Sequence, residues 1–369
     1  MCNQARRVAP AVEQAGRATA IKGTATPFAD ALNRAPTMKQ DTRRVALVAC
    51  LLGCIALTGC NESTSPQHVD KRLRADLSEP FQVVTTCGMV TDIVKQVVGG
   101  EAVVSGIMRE GVDPHLYRPT RSDVKQLSEA DVIFYSGLML EGRMSDTFSR
   151  VQRTGIPAFA VTEGIDRALL REPPEFAGHW DPHVWMDVQA WSACVTYVAT
   201  ALGDYDAAQK QQYAENASAY RESLTALDDF IRKTIASIPA QQRVLITAHD
   251  AFGYFSRAYD IDVKSVQGLS TESEADLKHI NELVDFISSR KIQAIFVESS
   301  VSDQNIKAIL EGCGQRGWKV RIGGSLFSDA MGTPGTYRGT YVGMMDHNAT
   351  LIARALGGEV PEKGLNGKL

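Results

Sequence analysis

The sequence predicts an α/β protein: two α/β lobes with mainly parallel sheets, joined by one long rigid helix. Three observations lead there. Short β-rich runs alternate with helical runs in the first half of the chain, the pattern of parallel strands joined by crossover helices. The same alternation restarts in the second half. Between them lies a polar-and-apolar stretch whose apolar residues recur every three or four positions, which is one face of a helix.

From the amino end, the elements read as follows. Residues 1–60 form an upstream segment and a lipoprotein signal. Met38 is the natural start, Arg43-Arg44 supply a basic flank, and an apolar run over residues 45–57 follows. The run ends in LTGC, which resembles a lipobox, so Cys60 is expected to carry lipid. Residues 61–80, opening NESTSPQ, read as a tether. The first lobe spans 81–205, with strands at 81–86 (FQVVTT), 102–107 (AVVSGI) and 131–136 (DVIFYS). A helix is expected over 121–130, with Ser122 as its N-cap. Residues 206–238 form the linker helix: Tyr213, Ala217, Tyr220, Leu224, Leu227, Ile231, Ile235 and Ile238 make one stripe. At about 1.5 Å per residue it would reach about 45 Å, more than one small lobe needs. The second lobe spans 239–369. Its expected strands are 243–247, 262–266, 294–298 and 319–322, with helices at 251–259, 274–290, 304–316 and 341–356.

Composition narrows the function classes. Of 369 residues, 44% are hydrophobic and 22% charged, which suits a globular protein with room for two domains. A formal charge of −4 gives no electrostatic footprint for nucleic acid. No apolar run of about 18 residues appears, so no permanent membrane-spanning helix is expected. Of the seven cysteines, Cys60, Cys87, Cys194 and Cys313 survive signal cleavage, and none forms a CxxC pair. The last three read as small apolar fillers, with a disulfide among them left open.

The chemistry lies in the histidines. Asp-Pro-His occurs twice, in GVDPHLY around His115 and in DPHVW around His183, each with an aromatic residue two positions on. Proline fixes φ and holds the residue before it extended, so both loops should be stiff. Tyr117 and Trp185 are placed to wall off water. In open α/β sheets, ligands sit beyond the carboxyl ends of strands. His249 follows RVLIT there, and Asp329 follows the last strand after a glycine-rich stretch read as a loop, GGSLFSDAMG. His115 and His183 from one lobe, with His249 and Asp329 from the other, give three imidazoles and one carboxylate. That set suits a divalent ion: zinc takes it four-coordinate, and manganese fits if the carboxylate is bidentate. Asp113, Asp181, Asp250 and Glu298 are candidates for orienting the rings. His179 is separated from His183 by a helix-breaking proline; His347 reads as a packed or surface residue, and His68 and His279 as solvated.

At these residues the sequence resembles the zinc/manganese solute-binding proteins of bacterial metal ABC transporters, the TroA/ZnuA-like group. The matching stretches include GVDPHLYRPTRSDV, SGLMLEGRM, DPHVWMDV, TAHDAFGYFSRAYDI, FVESSVS and GGSLFSDAMGTPGTYRGTY. The resemblance implies two lobes joined by a rigid helix, metal in the cleft between them, and ligands at His115, His183, His249 and Asp329. It also implies a lipid-anchored receptor on the periplasmic or outer face of the cytoplasmic membrane. That receptor would work as a monomer, delivering Zn2+ or Mn2+, with Fe2+ left open, to a permease and its ATPase. Two departures pull apart on the metal: His249 stands where some manganese-binding members carry Glu, and LLREPPEFAGHW is short where zinc-binding members often carry a long His-rich loop. The rival functions are a metal-dependent hydrolase, for which no HExxH is present, and a surface adhesin on the same scaffold.

Overall fold

The computed structural model describes residues 80–369. The start site, the signal segment with Cys60, and the tether as far as residue 79 lie outside the described residues. In the first lobe, β1 (Phe81–Thr85), β2 (Ala102–Gly106), β3 (Val132–Tyr135) and β4 (Ala158–Ala160) form a parallel sheet in the order β2-β1-β3-β4. Three of these strands match the expected runs to within a residue or so. β4 was not expected, because three residues of Ala-Phe-Ala carry no readable alternation. Helix α1 (Gly88–Val98) buries Met89, Val90, Ile93, Val94, Val97 and Val98 on the lobe's interior, a stripe at helical spacing.

Helix α2 (Arg121–Ser128) corrects one expectation. Its N-cap is Thr120, not Ser122. The Thr120 hydroxyl accepts from the Asp123 N–H, and the Asp123 carboxylate accepts from the Thr120 N–H at 2.6 Å, a reciprocal capping box. Ser122 lies inside the first turn and only shares a 2.7 Å hydroxyl contact with Thr120. Thr120→Ala should therefore cost about 1 kcal/mol of stability, and Ser122→Ala should be close to neutral. Urea denaturation of the two variants distinguishes the caps.

After α3 (Ser145–Gln152), the buried helix α4 (Val188–Tyr205) leads through a single turn to the long helix α5 (Lys210–Ala236). All eight expected stripe residues are buried, from Tyr213 to Ile238. The helix has 27 residues, so it spans about 40 Å. It is shorter than expected because residues 206–209 belong to the connecting turn and residues 237–238 lie past its carboxyl end. Along its length it packs on α1 and α4 of the first lobe and on α6 and α9 of the second.

The second lobe runs β5 (Val244–Thr247), α6 (Gly253–Tyr259), β6 (Asp262–Ser265), α7 (Leu277–Arg290), β7 (Ala294–Glu298), α8 (Gln304–Gln315), β8 (Arg321–Leu326) and α9 (Tyr341–Ala355). β5 pairs with β6 and β7 with β8, both parallel, and β5 lies beside β7. The start of GGSLFSDAMG, expected as loop, is strand. Its glycines serve packing. The register slips beside Gly323, and a Cβ there would come within 2.6 Å of the Phe296 ring. At Gly324, φ is +144° and a Cβ would meet Leu351 at 2.7 Å.

Burial explains why the lobes are held firmly. One apolar cluster runs from the first-lobe sheet through α4 and α5 into α6 and α9, including Phe134, Trp191, Leu224, Phe255 and Met344. A second cluster fills the space between the second-lobe strands and α7 and α8, including Ile246, Val284, Ile295 and Ile309. The long helix is thus embedded in a core shared by both lobes. Cys87, Cys194 and Cys313 are free and buried, as expected of fillers. Burial, with the Glu141 charge nearby, pushes the Cys87 thiol up to about 12.

Candidate metal centre

Each of the four expected residues sits just beyond a strand or at a loop edge. His115 lies on the loop that leaves β2, and His183 immediately precedes a turn into α4. His249 follows β5 by two residues, and Asp329 follows β8 by three. All four are buried, His115 the least so at 6% exposure.

The Asp-Pro-His repeat has a local cause. In each copy the aspartate carboxylate accepts the histidine's backbone N–H two residues on: Asp113 Oδ1 from His115 at 2.8 Å, and Asp181 Oδ1 from His183 at 3.0 Å. The repeat is therefore a folded Asx turn that presents an imidazole. The aromatic two positions on does different things in the two copies. Trp185 walls the site as expected, its ring 5.3 Å from that of His183 and its N–H donated to Ser328 O at 2.9 Å. Tyr117 does not. Its hydroxyl donates to Asp123 Oδ2 at 2.6 Å, which turns the ring toward α2. Burial and that hydrogen bond to Asp123 push the Tyr117 phenol up to about 12.

The four side chains converge on one point. His115 Nε2 and His183 Nε2 are 3.2 Å apart, His183 Nε2 and Asp329 Oδ1 3.4 Å, and His249 Nε2 and Asp329 Oδ2 3.1 Å. His115 Nε2 is 4.0 Å from Asp329 Oδ2. One ligand atom from each residue can be chosen so that all lie within 4.8 Å of one another. Ligands at zinc's usual bond lengths would sit roughly 3.3 Å apart along the edges of a tetrahedron. The observed separations scatter around that value.

Protonation supports a cation here. Asp181 Oδ1 lies 2.8 Å from His183 Nδ1, and Glu298 Oε2 lies 2.6 Å from His249 Nδ1. A carboxylate only accepts, so each Nδ1 carries a proton and each ring turns its Nε2 inward, where it offers a lone pair to a metal once that nitrogen holds no proton. Glu298 Oε1 also accepts the backbone N–H of Ala248 and His249, at 2.7 and 3.0 Å, which ties the end of β5 to the end of β7. His249 Nε2 and both Asp329 oxygens are buried without a hydrogen-bond partner. His249 Nε2 and Asp329 Oδ2 are close enough for a charge pair but poorly aligned for a hydrogen bond. Lone pairs from nitrogen and oxygen facing one another in a dry pocket repel unless a proton or a metal ion lies between them.

The metal-free electrostatics follow from this crowding. Burial alone would lower His249, but the charges of Asp329 and Glu298, with the hydrogen bond to Glu298, overcome it and raise the imidazole well above its usual value. Burial works against the Asp329 charge, yet His249, His183 and His115 hold its carboxyl well below the usual range. His115 is pushed down to about 3, mainly by burial, against the pull of Asp329.

Other residues complete the surroundings. Arg171 donates to Asp181 Oδ2 at 2.5 Å, and Tyr254 donates its hydroxyl to the Asp181 carbonyl at 2.9 Å. Gly253 makes room for that guanidinium, since a Cβ there would fall on Arg171 Nη1. Neither Arg171 nor Tyr254 was expected from sequence; they meet Asp181 only through folding. Asp250, a candidate for orienting a ring, donates its backbone N–H to Gly268 O at 3.3 Å and so serves the loop that carries His249. His179 is exposed against Phe176, His279 is exposed with Nε2 2.8 Å from Ser265 O, and His347 is half-buried with Nε2 3.0 Å from Ser325 O. None of the three joins the cluster.

Three imidazoles and a carboxylate, enclosed where two α/β lobes meet, make a buried donor set of the kind that can hold a metal ion. Residues 83–355 match the model of the family described as "ZnuA: Zinc-uptake complex component A periplasmic". The chain is 44% identical over 314 residues to "Zinc-binding protein TroA" of Treponema pallidum (strain Nichols), an alignment covering 85% of this chain and 99% of that protein. It is 40% identical, again over 314 residues, to "Manganese-binding lipoprotein MntA" of Bacillus subtilis (strain 168), covering 85% of this chain and 99% of that protein. The solved structure of the periplasmic zinc-binding protein TroA from Treponema pallidum superposes with a TM-score of 0.73 at 45% identity, covering 75% of this chain and 99% of that one. The chain belongs to the ZnuA/TroA family.

Proposed function

We propose that this protein is the extracytoplasmic solute-binding lipoprotein of a metal ABC transporter. It captures zinc or manganese and hands the ion to a permease driven by an ATPase. His115, His183, His249 and Asp329 are the ligands. The observation that carries this reading is the convergence of those four buried donors, with two rings aimed by carboxylates and three donor atoms left without a hydrogen bond. The relatives named for zinc and for manganese support a divalent cargo. Iron falls within the same donor chemistry.

Four protein ligands favour a carrier over a hydrolase, because a catalytic zinc site keeps a position open for water. Lipid on Cys60 would hold the receptor at the outer face of the membrane or in the periplasm, as a monomer. Among the described residues, no helix is long and apolar enough to cross a membrane. The deciding experiment is metal analysis of protein purified without added metal, followed by competition between zinc and manganese. One equivalent of bound metal, lost on substitution of the ligands, is the expected result.

Metal affinity should depend on pH more widely than an ordinary imidazole would suggest. Because His249 is raised in the metal-free protein, its Nε2 proton must leave before a cation can bind. A proton competitor weakens binding as pH falls, by about tenfold per unit below the metal-free pKa of His249. The decline should therefore already be present across neutral pH, not only below about 6.5. His115, held low, adds nothing to the slope there. Calorimetry in buffers of different ionisation heat should show about one proton released per metal at pH 7.

A further inference from the structure

We propose that the second-lobe loop between β6 and α7 is a latched strap across the mouth of the metal site, and that its two contacts with the first lobe set how fast the ion leaves. The proposal rests on the receptor reading above. The loop crosses to the first lobe at two neighbouring residues. Thr271 donates its hydroxyl to Asp113 Oδ2 at 2.5 Å, and Glu272 Oε1 accepts from Arg143 Nε at 2.6 Å. These partners lie 158 and 129 positions apart in sequence.

Both contacts reach the loop that carries His115. Asp113 uses its other oxygen to accept the His115 N–H. Arg143 also donates Nη1 to the carbonyl of Leu116 at 3.3 Å. A cavity of about 360 Å³ lies here, bordered by His115, Met139, Arg143, Leu269, Ser270 and Glu272. His115 is the most exposed of the four metal donors, so this is the side on which an ion would meet the protein first. The strap closes on itself as well, through Gln267 Nε2 to Ser273 O at 3.0 Å and Glu272 N to Ser270 Oγ at 3.3 Å.

The strength of the latch suits a gate. The Arg143 and Glu272 side chains are 31% and 47% exposed, so their ion pair is screened and contributes little to folding. The Thr271–Asp113 bond is part-buried and joins a neutral hydroxyl to a carboxylate. Contacts of this size can break without disturbing the shared core. None of the four residues supplies a metal donor, so the latch can change the exit rate without changing the coordination.

The test uses the double variant Thr271→Val with Glu272→Ala, loaded with Co2+ or Zn2+ and mixed rapidly with excess chelator. Metal should leave about tenfold faster, the size expected when contacts worth about a factor of ten are removed from the closed state. The bound Co2+ should keep its visible spectrum and a stoichiometry of one. Arg143→Glu and Glu272→Arg should each speed release, and combining them should restore slow release to within about threefold of the parent, as a coupled pair requires. An off-rate in the Thr271/Glu272 double variant within twofold of the parent, a changed Co2+ spectrum, or a swapped pair no slower than its single variants overturns the latch. A parent protein that binds no metal fails earlier, and takes the receptor reading with it.

Discussion

Asp329→Asn should lower metal affinity by more than the ~100-fold that partners outside the coordination shell command. The substitution preserves shape and removes only the charge. Asp329 is the one anionic donor among the four expected ligands, and both of its oxygens are buried without a hydrogen bond. A neutral amide would offer a weaker oxygen and leave the full charge of the ion uncompensated in a dry pocket. The same change removes the strongest influence that keeps His249 protonated in the metal-free state. Proton release on residual metal binding should therefore fall below that of the parent. Competition against a chelator of known affinity gives the first result, and calorimetry in two buffers gives the second. Affinity within tenfold of the parent would remove Asp329 from the ligand set.

Glu298→Gln should cost about 100-fold in metal affinity while leaving the fold largely intact. Glu298 holds three donors: the N–H groups of Ala248 and His249, and Nδ1 of His249. Glutamine can keep its carbonyl oxygen on the two backbone groups, but its NH2 then meets an Nδ1 that also carries a proton. The clash is relieved if the ring moves its proton to Nε2, and an Nε2 that carries a proton cannot bind metal. Glu298→Ala is the informative contrast. It abandons all three buried donors, each at about 1–3 kcal/mol, so it should lower folding stability as well as affinity. Thermal melts of the two metal-free variants separate the effects: a clear loss of stability for alanine and a smaller one for glutamine. Equal metal affinity in the glutamine variant and the parent would show that the tautomer of His249 is not set by Glu298.

Much of the site was legible because its signals are local. Asp-Pro-His is written within three residues, and its Asx turn needs nothing distant to form. The position of His249 followed from a strand whose apolar run is continuous, since buried parallel strands need no alternation. The stripe of α5 was readable for the same reason, as one helix face facing one core. What escaped the sequence depends on partners brought together from afar. Arg171 gains its meaning from Asp181 and from the space at Gly253, 82 positions away. β4 is held by its neighbour β3 more than by its own three residues. Tyr117 and Trp185 occupy equivalent places in the repeat, but one turns to α2 and the other to Ser328, and only the surrounding elements decide which. The glycines of β8 read as loop until Phe296 and Leu351 are seen pressing on the strand.

Trp185 gives the protein a built-in optical reporter. Its indole is fully buried, lies beside one imidazole donor, and is hydrogen-bonded to the residue just before Asp329. Emission from that ring should respond directly when the pocket fills, and a paramagnetic ion should quench it more than a closed-shell one. Cargo could then be followed in real time without a dye, and the quenching alone would begin to tell manganese from zinc.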